Sequence, residues 1–199
     1  MPPARGAALA ARLSPSHLEA LAPESRALLA RLGERAWSTD FYLAGGAALA
    51  LYLGHRTVAG LDLMSLANRL TPQDRRDLLV DLLEMAPGAR VHTARDGYLA
   101  LELPGALALR FYYYPYPLVE PLGGAGLAVA SPLDLGLMKL GAIISRGSKR
   151  DFVDLYLLCR ELPLALLLER AQEKFGHVGD FTLQAMLPAS VAGQPLVTL

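Results

Sequence analysis

From His17 to Ala36 the chain reads HLEALAPESRALLARLGERA, with Leu18, Leu21, Leu28, Leu29 and Leu32 at helical spacing. Pro23 divides that stretch into two helical pieces. A short apolar run, Phe41 to Ala44, ends at Gly45-Gly46 and is followed by AALALYLG, so the pattern predicts a strand, a glycine turn and a helix ending near Gly54. Leu61 to Ser65 predicts a second buried strand. Thr71-Pro72-Gln73-Asp74 supplies the cap, first-turn proline and early acid of a helix reaching about Met85, closed by Pro87-Gly88.

Alternation then takes over. Arg90 to Ala94, Tyr98 to Leu103 and Leu107 to Tyr113 predict three strands, joined at Asp96-Gly97 and Pro104-Gly105 as an antiparallel meander. After a Pro- and Gly-rich stretch from Pro115 to Gly126, Leu127 to Ala130 adds one more strand, and Ser131-Pro132 opens a helix through Ser145. Asp151 to Arg160 and Leu164 to Lys174 carry helical apolar stripes separated by Pro163. The first dozen residues predict a loose or helical arm, and the stretch through Pro188 and Pro195 a frayed tail. Strands in the middle and helices at both ends predict an α+β domain with a mixed sheet and a C-terminal helical part, not a doubly wound parallel sheet. The expected division is a core over 1–130, including the N-terminal arm, and a helical part over 131–199 packed on it.

Composition narrows the function classes. The 199 residues favour one domain with a helical annex. Lys plus Arg is 19 and Asp plus Glu is 19, so bulk charge draws the chain to neither nucleic acid nor membrane; any such contact must be a local patch. No uncharged apolar run approaches the roughly 18 to 20 residues of a membrane-spanning helix. The one cysteine, Cys159, excludes an internal disulfide framework and a cysteine zinc site, and a reducing, cytoplasmic setting is expected.

Two segments concentrate the chemistry. In LAGGAALAL, Leu43 to Leu51, the Gly45-Gly46 pair brings bare amides close to a ligand and aims a helix N-terminus at an anion; a tight packed turn is the plainer alternative. Asp62 supports the site, because an acid between Leu61 and Leu63 needs a partner, a metal or a cleft. An ordinary salt bridge to an arginine is its alternative. The second segment is MKLGAIISRGSKRDFVDLYLL, Met138 to Leu158. Lys139 and Arg146 can share a helix face, and Asp151 and Asp154 lie three apart on the next helix, so four charges are expected to converge on one groove. A structural clamp, with Asp154 on Arg146 or Arg150, is the competing reading.

These segments, with FYYYPYPLVEP between them, resemble in order the AbiEii/AbiGii group of nucleotidyltransferase-like toxins, within the DNA polymerase beta-like superfamily. The resemblance spans Phe41 to about Leu158. It implies a minimal nucleotidyltransferase-type mixed sheet with flanking helices, and descent from enzymes that move a nucleoside monophosphate from a triphosphate to an acceptor. In toxin members the acceptor is typically RNA, and a winged-helix antitoxin is the usual counterpart. The family pattern is a glycine turn, about a dozen residues, two acids one residue apart, and in some relatives a third acid on a later strand. Here the two acid positions are Gly60 and Asp62, and the third corresponds to Arg110.

One carboxylate is a poor cage for the paired metal ions, about 3.5 to 4 Å apart, that in-line transfer uses. Asp62 with a single weakly held magnesium ion is the metal expectation. Arg110, if it faces the pocket, supplies guanidinium charge instead, which favours binding an anion over transferring it; the opposite strand face is the alternative. The resemblance assigns Gly45, Gly46, Arg56, Lys139, Arg146 and Lys149 to nucleotide binding, and Asp62, Lys139, Asp151 and Asp154 to catalysis. His55 belongs to a Gly-His-Arg signature of the group but reads alone as a surface residue. Tyr112, Tyr113, Tyr114 and Tyr116 offer stacking surfaces or plain packing. The expected function is therefore triphosphate binding with weak or lost transfer. The alternative is a non-enzymatic protein-interaction module on the same fold.

Overall fold

A computed structural model describes residues 14–124 and 126–176; the N-terminal arm and C-terminal tail expected above lie outside them. In chain order the elements are α1 (Pro23–Gly33), β1 (Tyr42–Ala44), α2 (Gly45–Leu53), β2 (Leu61–Ser65), α3 (Pro72–Met85), β3 (Arg90–Arg95), β4 (Tyr98–Leu103), β5 (Leu107–Tyr113), β6 (Ala128–Val129), α4 (Pro132–Ser145), α5 (Lys149–Leu158) and α6 (Leu164–Phe175). Short 3-10 turns at Leu18–Ala20 and Ala36–Asp40 flank α1.

The six strands form one mixed sheet in the order β3-β4-β5-β2-β1-β6. The meander β3-β4-β5 is antiparallel, β5 joins β2 in parallel, β2 meets β1 antiparallel, and β6 lies parallel on the far side of β1. Alternation sends Leu61, Leu63, Leu99, Leu101, Leu109 and Phe111 to one face, where they are buried in one cluster with Leu28 and Leu32 of α1 and Leu78 and Leu82 of α3. The residues between them, among them Asp62, Met64, Tyr98, Arg110 and Tyr112, turn to the opposite face and stay half-buried. That second face carries the polar chemistry.

A smaller apolar cluster, Leu133, Leu137 and Leu140 of α4 with Leu167, Ala171 and Phe175 of α6, holds the C-terminal helices together. A buried ion pair reinforces it: Lys174 Nζ lies 2.7 Å from Asp134 Oδ1 and 2.9 Å from the Pro117 carbonyl oxygen. Asp134 also accepts from Ser131 Oγ and from the backbone N–H groups of Val119 and Glu120, so it fixes the loop before β6 against the start of α4. Among the described residues no helix is long and apolar enough to cross a membrane.

Candidate functional site

Sheet register explains how the glycine turn reaches the strand acid. Ala44, the last residue of β1, stands opposite Asp62 on β2, so Gly45 begins α2 directly over that carboxylate. Gly45 has φ +63°, and a Cβ there would stand 2.7 Å from Asp62 Oδ2, so glycine is required on both counts. At Gly46 a Cβ would come within 2.5 Å of Arg56 Nη2. The turn therefore contacts the acid through one glycine and a guanidinium through the other.

Arg56 leads on to the C-terminal segment. Its Nε and Nη2 each donate to Asp154 at 3.2 Å, a two-pronged ion pair. Asp154 has no exposed side-chain surface and also receives Lys139 Nζ at 2.7 Å and His55 Nε2 at 3.2 Å. Lys139 then bridges to Asp151 at 3.0 Å, and Arg146 closes on Asp151 with Nε at 2.8 Å and Nη2 at 2.9 Å. Ser148 caps α5 at Asp151 N and donates to Asp151 Oδ2 at 2.6 Å. Arg146 also lies within electrostatic reach of Asp62 and Tyr112, while Asp151, Lys139, Asp154 and Arg56 form one chain of ion pairs that ends beside Gly46.

Electrostatics in this cluster are strong. Burial alone would push the Asp151 carboxyl up, but hydrogen bonds from Arg146, Ser148 and Lys139 outweigh it and hold the group well below the usual carboxylate range. Burial and then Arg56 and Lys139 act on Asp154 in the same way, with the same downward result. The Asp151 hydrogen bonds raise the already high Arg146 value further. Both aspartates are held ionised, so they position cations and are poor proton carriers near neutral pH.

The expected site residues separate into groups. Gly45, Gly46, Asp62, Arg56, Lys139, Arg146, Asp151 and Asp154 are brought together. Lys139, however, is nearly buried between two carboxylates instead of lining an open groove, because its ammonium would otherwise be unpaired in the interior. Asp154 pairs with Arg56, His55 and Lys139, not with Arg146 or Arg150 as the clamp reading had it. Lys149 is exposed at the first turn of α5. His55 is no surface residue: its side chain is 8% exposed, and Nδ1 is buried without a hydrogen-bond partner. Nothing local in Gly-His-Arg reveals that burial, since Asp154 lies 99 residues further along.

Arg110 turns to the same sheet face as Asp62. It is the register partner of Asp62 across the parallel β2–β5 pair, and its Nη1 donates to Asp62 Oδ1 at 3.2 Å. Their side chains are 41% and 27% exposed, so the pair is reached by solvent. Of the four tyrosines, Tyr112 lies on the same face and packs on Tyr98, with ring centroids 5.0 Å apart. Tyr114 and Tyr116 instead pack against each other and toward Lys174 and Phe175.

These donors do not fit a magnesium site. Asp62 brings one carboxylate already bound to a guanidinium, and among the described residues no group of three or more His, Cys, Asp or Glu is placed to hold a metal ion. The first acid position is closed by conformation. Gly60 has φ +111°, its N–H donates to Ser25 Oγ, and a Cβ would stand 3.0 Å from the Ala108 carbonyl oxygen.

Comparison with known proteins places this architecture. In sequence the chain is 31% identical over 168 residues to an uncharacterized protein of Aquifex aeolicus (strain VF5), covering 82% of this chain and 79% of that one. In structure it resembles the antibiotic-resistance factor ANT(2'')-Ia, with a TM-score of 0.53 at 17% identity over 75% of this chain and 91% of that one, a likeness of fold. The family described as nucleotidyl transferase AbiEii toxin, type IV toxin–antitoxin system, matches residues 26–197. With its six-stranded mixed sheet and flanking helices, the chain belongs to the AbiEii nucleotidyl transferase toxin family.

Proposed function

We propose that the cleft between α2, β2 and the α4–α5 junction binds the polyphosphate of a nucleoside triphosphate, and that nucleotidyl transfer from it is weak or lost. The supporting observation is a cationic surplus beside an uncapped helix start. Arg56, Arg110, Lys139 and Arg146 make four cations against the three carboxylates Asp62, Asp151 and Asp154. Helices α3, α4 and α5 are capped by Thr71, Ser131 and Ser148, whereas α2, like α1 and α6, begins with no side-chain cap, and α2 alone of these three starts at a glycine pair beside the charged cluster. Its first amides are left for an anion, which the helix dipole favours. Arg146, 66% exposed, and Lys149 reach phosphates from the other side.

In this reading Lys139, Asp151 and Asp154 hold Arg56 and Arg146 in place and do not touch the reacting atoms. Whatever transfer survives would go to RNA in the cytoplasm, with a winged-helix antitoxin as counterpart, as the family relationship supports. Calorimetry with the four triphosphates tests the binding half. Arg146→Gln, on an exposed side chain, is expected to weaken binding about tenfold, the worth of a charge-assisted contact. Unchanged affinity would remove Arg146 from the site. Transfer of labelled nucleotide to RNA that disappears in Asp62→Ala would overturn the impaired-transfer half.

The Asp62–Arg110 pair favours a second reading, since it neutralises the mouth of the cleft with the chain's own side chains. The fold would then serve as a protein-interaction module. Absence of binding by any triphosphate supports it.

A further inference from the structure

On the nucleotide-binding reading, we infer that this cleft takes the metal-free polyphosphate as its ligand, with the guanidinium of Arg110, assisted by Arg146, supplying the positive charge that metal ions supply elsewhere in the superfamily. Three placements carry this. Position 60 cannot hold a carboxylate without moving the backbone, because its φ is +111° and the Ala108 carbonyl oxygen blocks the Cβ direction. Position 110, the register neighbour of Asp62 on β5, holds a cation where a second ligand would have to stand. Asp62 Oδ1 accepts from Arg110, and Oδ2 lies close over Gly45. A magnesium ion bound there would have to displace Arg110 and would gain a single carboxylate, against an ion that dehydrates reluctantly and wants octahedral oxygen ligands.

A guanidinium answers the same phosphate charge differently. Arg110 is 41% exposed and commits one N–H to Asp62, so its planar fork retains donors for phosphate oxygens. Arg146, at the end of α4 and 66% exposed, stands within electrostatic reach of Asp62. A ligand already complexed to magnesium brings less negative charge and has spent the oxygens these forks would take. Magnesium therefore competes with the protein for the ligand.

The test is calorimetric titration of ATP into the full chain, once in EDTA and once in excess magnesium, for wild type, Arg110→Gln and Arg110→Asp. Wild type is expected to bind about tenfold more tightly in EDTA than in excess magnesium, and equal affinity in the two would count against the inference. Arg110→Gln should lose about tenfold in EDTA and little in magnesium. Arg110→Asp, which sets two carboxylates side by side, should make binding depend on magnesium; if it does not fold, the Gln variant and the wild-type pair of titrations still decide. Wild-type binding that requires magnesium, or that ignores Arg110→Gln, overturns the inference and leaves nucleotide binding standing. No binding under either condition overturns both.

Discussion

Asp151 accepts from Lys139, Arg146 and Ser148 at once, and Asp154 from Lys139, Arg56 and His55, so two buried carboxylates order Arg56, Lys139 and Arg146. Breaking such a pair leaves an unbalanced buried charge, which costs about 3 kcal/mol. Asp151→Asn keeps the volume and removes the charge, so urea denaturation near pH 7 should show a loss of about that size. The pH dependence has a defined sign. The folded value of Asp151 lies below its ordinary 3.8, so its stabilisation is fully present above 3.8 and is lost as pH falls toward the folded value. Wild type and Asp151→Asn should therefore converge in stability as acid is added below that point. Parallel curves down to about pH 2 would show that the fold does not lower the Asp151 pKa.

At the scale of elements, Gly60 shows why a missing acid cannot simply be restored. Its left-handed backbone and its close approach to Ala108 let β2 enter the sheet beside β5. Gly60→Ala is expected to cost about 1 to 3 kcal/mol through strain at this φ, read as a lower urea midpoint. A variant as stable as wild type would refute the strain. Most elements were legible because their signals are local: Thr71-Pro72 and Ser131-Pro132 begin α3 and α4, Asp96-Gly97 and Pro104-Gly105 turn the meander, and Leu61 to Ser65 is β2 residue for residue. The meander's antiparallel partners were legible with its turns, but the partners of the other elements were not. That β2 sits between β1 and β5, with Asp62 beside Arg110, follows from long-range pairing and decides which face Arg110 occupies. The burial of His55 and the Lys174–Asp134 pair were hidden for the same reason, although Ser131-Pro-Leu-Asp134 carried the capping half of that signal.

Across the whole molecule, the sheet gives one face to the apolar core under α1 and α3 and turns the other toward the cleft, while α4 and α5 bring Arg146, Asp151 and Asp154 to the same place. Residues 98 and 99 positions apart along the chain thus share one charged cluster. The chain belongs to a nucleotidyl transferase family, and the acid of β2, Asp62, is paired with Arg110 of β5. Photo-crosslinking with an azido-labelled triphosphate, followed by mass spectrometric mapping of the modified peptides, tests the assembled cleft most directly. Label concentrated in the segments holding Gly45 to Arg56, Asp62 to Ser65 and Arg146 to Asp154, and competed away by unlabelled triphosphate, is the expected result. Competable label confined to α1 or α3, on the other side of the sheet, would contradict it.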